Sequence, residues 1–537
     1  VQPTDLNLPT HFTSFRTGQD DAAIELLSSP HRFLLLSAPT GSGKSLIYMT
    51  LSRLLDARTL VLTGTKGLQT QLMSDFHPMG MVDIRGHANY PCGVPRASSL
   101  GPRDLLTTSG LSSKSGASWS DVCTTDRESC SYLAALSTAR ESNLVITNYA
   151  YWLTMERVNN ANALGEFDLL ILDEGHTAPD WLASFCKFSL HSSLLRDLLD
   201  LDLPKPDDDF IEWAKSAVVA LSARRDDHRT FTDAALTALV ALERNLSGLL
   251  SSTSVEWLTE TTRYGIKLSP VWAREFAEPY LFRSIPHILL TSATLSPEIR
   301  TYMGISINDS TYLEAGKGFD HRRRPFIYVP TTRVGRKMSE GDTRVWMNRI
   351  DSIIDGRLDR KGIIHTRSYA RAKEIVTRSR HADVMLVHRP RDTAEVVAMF
   401  KNSTAPSVLV SPAVEEGFDF PGLQCSYQII VKVPFLDMRD PITKARSKTD
   451  ECYSNYVTGQ SLVQMVGRGM RAPDDICETL IIDDHWSWFR KSTIFPHWFR
   501  RAWRRSNTIP TPPGLPVADR PRRGIGGTDH LRASDQT

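Results

Sequence analysis

The nine residues Ser37-Ala38-Pro39-Thr40-Gly41-Ser42-Gly43-Lys44-Ser45 constrain this chain more than any other stretch. An apolar run, Phe33 to Leu36, precedes them, and Leu46-Ile47-Tyr48-Met49 follows. The order is strand, glycine loop, helix. Gly41 and Gly43 carry no Cβ to block an anion, so successive backbone N–H groups can turn toward one phosphate. The helix behind the loop adds the positive end of its dipole. Lys44 can reach the β- and γ-phosphates of a nucleotide, and the Ser45 hydroxyl can ligate Mg²⁺. The spacing follows G-x-x-x-x-G-K-[ST] with Ala38 at the first glycine position, and Thr40 and Ser42 fill the loop. A chance Gly/Ser turn would not need a strand before it and a helix after it.

A second apolar strand, Phe167 to Leu172, ends in Asp173-Glu174-Gly175-His176. Carboxylates at the carboxyl edge of a parallel sheet stand where such sheets bind ligands. Asp173 can hold the Mg²⁺ shell, Glu174 can polarise an attacking water, and His176 can link the nucleotide site to other segments. Farther on, Gln464, Arg468 and Arg471 fall on one face if the segment is helical. The two guanidiniums, of Arg468 and Arg471, could then reach a γ-phosphate from a second domain; taken alone, a solvated basic face is the simpler reading.

With 537 residues the chain exceeds one hydrophobic core, and three or four domains or subdomains are expected. Lys and Arg number 63 against 61 Asp and Glu, so a nucleic-acid partner would need local basic patches rather than net charge. No run of about 18 apolar residues is present, and Val1 to Thr10 lacks an apolar signal core. No membrane association and an intracellular, cytoplasmic, reducing setting, bacterial or viral, are the expectations. The seven cysteines then read as free thiols or metal ligands.

Arg16 and Gln19, three apart, could share a helix face and contact an adenine, or simply begin a solvated helix. Thr65, Lys66 and Gln69 follow a buried strand and suit a sugar-phosphate backbone, with a helix cap by Thr65 the plain alternative. Between residues 86 and 142 strand signals vanish and Cys92, Cys123 and Cys130 appear. Thiolates in a loop-rich insert suggest a metal or iron–sulfur site, its fourth ligand open among His87, Asp121 and Asp126. Residues 180–275 carry leucines at helical spacing and read as a mainly helical insert. Ile288 to Leu295 is a buried strand ending in Thr291-Ser292-Ala293-Thr294. A new α/β unit, 316–495, includes Ile363-Ile364-His365-Thr366-Arg367 and Glu416-Gly417-Phe418-Asp419. From about residue 496 a basic, aromatic and then Pro/Gly/Arg-rich tail reads as disordered toward its end.

Taken in order, Arg16/Gln19, Ala38–Ser45, Asp173–His176, Thr291–Leu295, Glu416–Asp419 and Gln464–Arg471 resemble the signature set of superfamily 2 helicases, above all the XPD/DinG branch. Asn148-Tyr149, Val433-Pro434-Phe435, Asn89-Tyr90-Pro91-Cys92 and Cys130-Ser131-Tyr132 also resemble that branch. Gly175 departs from it by standing where the D-E-A-H box has Ala. The resemblance implies two RecA-like α/β P-loop domains, the first assembled from 1–85, 143–179 and 276–315. It implies an iron–sulfur-like insert at 86–142 and a helical arch at 180–275. ATP and Mg²⁺ would lie in the cleft, with Gly417 and Asp419 among the nucleotide contacts and Thr366 and Arg367 among the nucleic-acid contacts. The activity implied is ATP-driven 5′-to-3′ movement on single-stranded or tailed DNA, with a loading protein left open. An RNA helicase, or a subunit that grips DNA with little unwinding, are the alternatives.

Overall fold

The computed structural model describes residues 2–91, 130–157, 162–204, 210–225, 233–251, 254–315, 322–414, 418–470, 475–492 and 494–514. Five strands come first: β1 (Phe33–Ser37), β2 (Thr59–Thr63), β3 (Met81–Asp83), β4 (Leu144–Asn148) and β5 (Leu169–Asp173). Three more, β6 (Phe188–His191), β7 (Trp257–Thr262) and β8 (Gly265–Pro270), form a small antiparallel sheet. Then β9 (His287–Ser292) and β10 (Ser310–Glu314) return to the first sheet, giving the order β10-β1-β9-β5-β2-β4-β3, all parallel.

The second domain contains β11 (Phe326–Thr332), β12 (Lys361–His365), β13 (Met385–Val387), β14 (Ser407–Ser411), β15 (Tyr427–Ile430), β16 (Glu478–Asp483) and β17 (Trp503–Arg505). They form a second parallel sheet in the order β13-β14-β12-β15-β16-β11-β17. These are the two RecA-like α/β domains that the sequence led us to expect.

The strands read as unbroken apolar runs because helices cover both faces of each sheet. In β1, Phe33 and Leu35 pack into one core with Leu60, Leu172 and Leu290, while Leu34 and Leu36 pack into the opposite one with Ile47, Val61 and Ile171. Below the second sheet, Arg357 and Glu478 form a wholly buried, two-pronged ion pair, with Nε–Oε1 2.7 Å and Nη2–Oε2 2.9 Å.

The mainly helical 180–275 insert also contains strands: its helices Ser192–Leu199, Phe210–Arg225 and Asp233–Ser251 share their core with the antiparallel strands through Phe188, Leu190 and Leu268. One expectation needs correction. The second domain does not stop at 495. Phe499 and Ala502 are buried, β17 pairs with β11, and Arg357 and Arg360 donate to the carbonyls of Pro510 and Pro513. Burial of the aromatic face recruits this segment into the sheet, and only residues 515–537 of the expected tail lie outside the described ones. Among the described residues, no helix is long and apolar enough to cross a membrane.

Candidate nucleotide site and nucleic-acid interface

The phosphate loop joins β1 to the helix Lys44–Leu54. Gly41 and Gly43 both have φ near +77°, a left-handed backbone that glycine adopts without strain. A Cβ on Gly43 would run into the Gln19 amide, so the loop also needs glycine there for space. Arg16 and Gln19 brace this loop from outside. Arg16 Nη1 donates to the Gly41 carbonyl (2.5 Å), and Gln19 Nε2 donates to the carbonyls of Ser42 (2.8 Å) and Gly43 (3.3 Å). The shared helix face expected for this pair is not formed: Gln19 opens the helix Gln19–Leu27 and Arg16 precedes it, its N–H donating to Gln19 Oε1.

Strand order does the rest. β9 lies between β1 and β5, so the Ser292 end of β9 stands between the phosphate loop and the Asp173-Glu174 edge. Ser292 Oγ donates to Glu174 Oε2 (3.1 Å) and lies 2.8 Å from His176 Nδ1 and 3.1 Å from Thr294 Oγ1. Glu174 itself is left-handed, with φ of 50°, a conformation non-glycine residues hold only where their surroundings enforce it. Tyr149, buried, donates its hydroxyl to the Asp173 carbonyl at 3.1 Å. At Gly175 a Cβ would stand 3.2 Å from Leu290 Cβ and 3.3 Å from the Thr291 nitrogen. Glycine in place of alanine thus lets this turn press close to β9.

The two carboxylates are held in opposite states. Burial, then the neighbouring Glu174 charge, pushes Asp173 up to about 7. Burial also opposes charge on Glu174, but the His176 hydrogen bond, Lys44 and Arg468 outweigh it and hold Glu174 well below the usual carboxylate range. A cation bound against Asp173 would reverse that residue's rise.

The second domain reaches this edge through the helix Tyr453–Val466 and the turn after it. Gln464 Nε2 donates to Glu174 Oε2 at 3.4 Å, and Arg468 Nη2 donates to Gln464 Oε1 at 3.3 Å. The expected helical face of Gln464, Arg468 and Arg471 is corrected: the helix ends at Val466, and Arg468 sits in the following turn. There it donates to the Phe418 carbonyl (3.0 Å) and pairs with Asp419 (3.7 Å). Gly467 closes directly over Thr40 of the phosphate loop. Arg471 and Gly417 lie outside the described residues.

A triphosphate and Mg²⁺ fit these residues: the loop carbonyls are tied outward, the Ser42 hydroxyl is buried without a partner, and Asp173 is buried beside Lys44's charge. Lys44 and Ser45 would hold phosphate and metal, with Asp173 completing the metal's shell.

Residues 13–187 match the family model described as "Type III restriction enzyme, res subunit", and residues 357–502 match "Helicase C-terminal domain". ATP-dependent helicase DinG of Mycobacterium tuberculosis is 24% identical over 565 residues, covering 81% of this chain and 83% of its own. DinG of Mycobacterium bovis matches to the same degree. Xpd4 of S. tokodaii shares the fold at a TM-score of 0.56, with 13% identity over 91% of this chain and 100% of its own. An XPD helicase structure does so at 0.57, with 16% identity over 91% and 99%. Its family-model matches, its relatives and its fold are those of a helicase similar to the XPD/DinG-like branch of superfamily 2.

For this helicase the nucleic-acid contacts expected from sequence divide sharply. Gln69 is fully buried and donates to the Ile84 carbonyl (3.1 Å), so it faces no strand. Thr366 is also buried, its hydroxyl donating to the Ser368 carbonyl at 3.2 Å. Thr65 caps the helix Lys66–Phe76 by accepting from the Leu68 N–H. The corrections at Gln69 and Thr366 have one cause: a polar side chain turned inward satisfies a nearby backbone carbonyl first. Lys66 is exposed, and its ammonium lies 2.6 Å from Asn89 Oδ1. Arg367 is exposed in a left-handed turn, with φ of 62°. Lys432 is half-buried past the end of the neighbouring β15, where burial and then Arg371 lower its pKa.

Cys92 and Cys123 lie outside the described residues, and Cys130 precedes the helix Ser131–Glu141. Among the described residues no three His, Cys, Asp or Glu side chains gather to hold a metal.

Proposed function

We propose that this protein moves 5′ to 3′ along single-stranded DNA and separates duplexes by hydrolysing ATP. The observation that supports it best is the position of Glu174, which receives hydrogen bonds from Ser292 on one domain and Gln464 on the other. A carboxylate charged at neutral pH and touched by both domains can orient and polarise an attacking water when the cleft is closed. Bound Mg²⁺ would supply charge neutralisation at the phosphates. Lys44 and the loop amides bind the triphosphate, Gln464 and Arg468 align the second domain, and loss of the γ-phosphate removes the reason for closure. Opening and closing would let Lys66 on one domain and Arg367 and Lys432 on the other grip the strand in turn. Such contacts read phosphate and not sequence. The relatives named DinG are ATP-dependent helicases, which favours the same reading.

Strand displacement on duplexes with a 5′ or a 3′ single-stranded tail, run with ATP and Mg²⁺ against a Lys44→Ala control, tests it. Unwinding of the 5′-tailed substrate alone is expected. Unwinding from the 3′ tail refutes the polarity. Stronger ATPase stimulation by RNA than by DNA refutes the substrate.

A further inference from the structure

We propose that Arg446 is a positioning residue: a pivot that fixes how the Gln464–Arg468 edge swings onto Glu174. The proposal rests on the ATPase reading above. Arg446 lies on the helix Pro441–Thr449 of the second domain and is buried. Its Nε donates to the Val271 carbonyl (2.7 Å), and its Nη1 donates to Asp180 Oδ1 (3.1 Å) and to the Tyr453 hydroxyl (2.7 Å). Val271 and Asp180 belong to the first-domain side, and Tyr453 begins the helix that ends at Val466.

One guanidinium therefore ties the helix that follows the Glu174 turn to the helix that delivers Gln464. Asp180 is on the helix Ala178–Cys186, which starts four residues after Glu174; Tyr453 opens the helix that delivers Gln464. From Tyr453 to Gln464 is eleven residues, about 16 Å of stiff helix. Holding one end sets an arc for the other. Aromatic packing surrounds the joint: Trp272 stacks on Tyr302 (5.4 Å) and meets Tyr453 edge-on (5.3 Å), and Tyr302 reaches Tyr456 at 4.7 Å. The Tyr302 hydroxyl also donates to Asp450 Oδ2 across the domains at 2.8 Å. Arg446 touches none of the residues that hold phosphate, so it acts only through the helix it anchors. Lysine would keep the charge but lose the fork that serves three acceptors at once.

The test compares wild type with Arg446→Lys and Arg446→Met. Steady-state ATPase should show kcat reduced about tenfold or more with the KM for ATP nearly unchanged, since misplacement by about an ångström has effects of that order. Amide hydrogen exchange should quicken in residues 460–470 and stay as in wild type in β12, β14 and β15. The proposal fails if kcat stays within about twofold and exchange there is unaltered. It also fails if exchange rises across the whole second domain together with a lower melting temperature. Should the Arg446 variants not fold, Tyr302→Phe, which keeps the ring stack, and Asp180→Asn, whose carboxylate is largely exposed, carry the same two readouts. Wild-type protein that hydrolyses no ATP would defeat the functional reading, and the exchange pattern would still decide the pivot.

Discussion

Replacing Gly467 by alanine should slow catalysis while leaving each domain intact. Gly467 has φ of −77°, so alanine suits its backbone. Space is the obstacle. A Cβ there would stand 2.6 Å from Thr40 Oγ1 and 3.2 Å from Thr40 Cβ, both on the opposite domain. Ordinary contact requires retreat by roughly 0.8 Å. Thr40 has little room to yield, because Arg16 and Gln19 pin the carbonyls of Gly41, Ser42 and Gly43. Turning its side chain only exchanges the hydroxyl for a methyl. Overpacking of this kind costs about 1–3 kcal/mol. The cost falls on the closed arrangement alone, so it appears as a kcat lower by about 5- to 150-fold. DNA-stimulated steady-state ATPase measures it, with thermal unfolding as the control for folding. In a double-mutant cycle with Thr40→Ala, the two losses should overlap by about 1 kcal/mol or more. Wild-type kcat in Gly467→Ala, or losses that simply add, would refute the contact as part of the working state.

Lys44→Ala and Glu174→Gln should each lower ATP turnover by about 10²-fold or more, but Glu174→Gln should still bind a fluorescent ATP analogue, because its phosphate contacts remain; retained turnover in either contradicts the assignment. Arg357→Met should destabilise the protein by about 3–5 kcal/mol by stranding buried Glu478, and Arg357→Met/Glu478→Leu should recover most of that in urea unfolding. Burial, reinforced by Arg468 and opposed by the Gln428 hydrogen bond, lowers His365 from 6.5 to about 4. The unfolded chain therefore takes up the proton first: His365's stability is complete above about pH 6.5 and drains away toward about pH 4. Acidification from about pH 8 to 5 should remove about 2 kcal/mol through this residue, and His365→Gln should flatten that slope; an unchanged slope would show that another group causes it.

Much of the site was legible because its parts are local. A glycine loop between an apolar strand and a helix, or two acids at a strand end, depend on neighbours a few residues away, and those spacings are written in the chain. Lys44, Ser45, Asp173 and Glu174 are such cases. The alternation of Phe33 and Leu35 against Leu34 and Leu36 likewise announces a strand covered on both faces.

What tertiary structure decided is which polar side chains were already spent. Gln69 and Lys66 stand on one helix and read alike, yet one is buried against Ile84 and the other faces solvent. Ser292 became part of the site because β9 was laid between β1 and β5, a choice made by the packing of strands more than 100 residues apart. Arg446 shows no motif at all, and its importance exists only once Asp180, Val271 and Tyr453 converge on it. Hydrophobic periodicity carries the identity of an element, but hydrogen-bond partners are assigned only when elements dock, since a buried polar group takes whichever partner the fold leaves within reach.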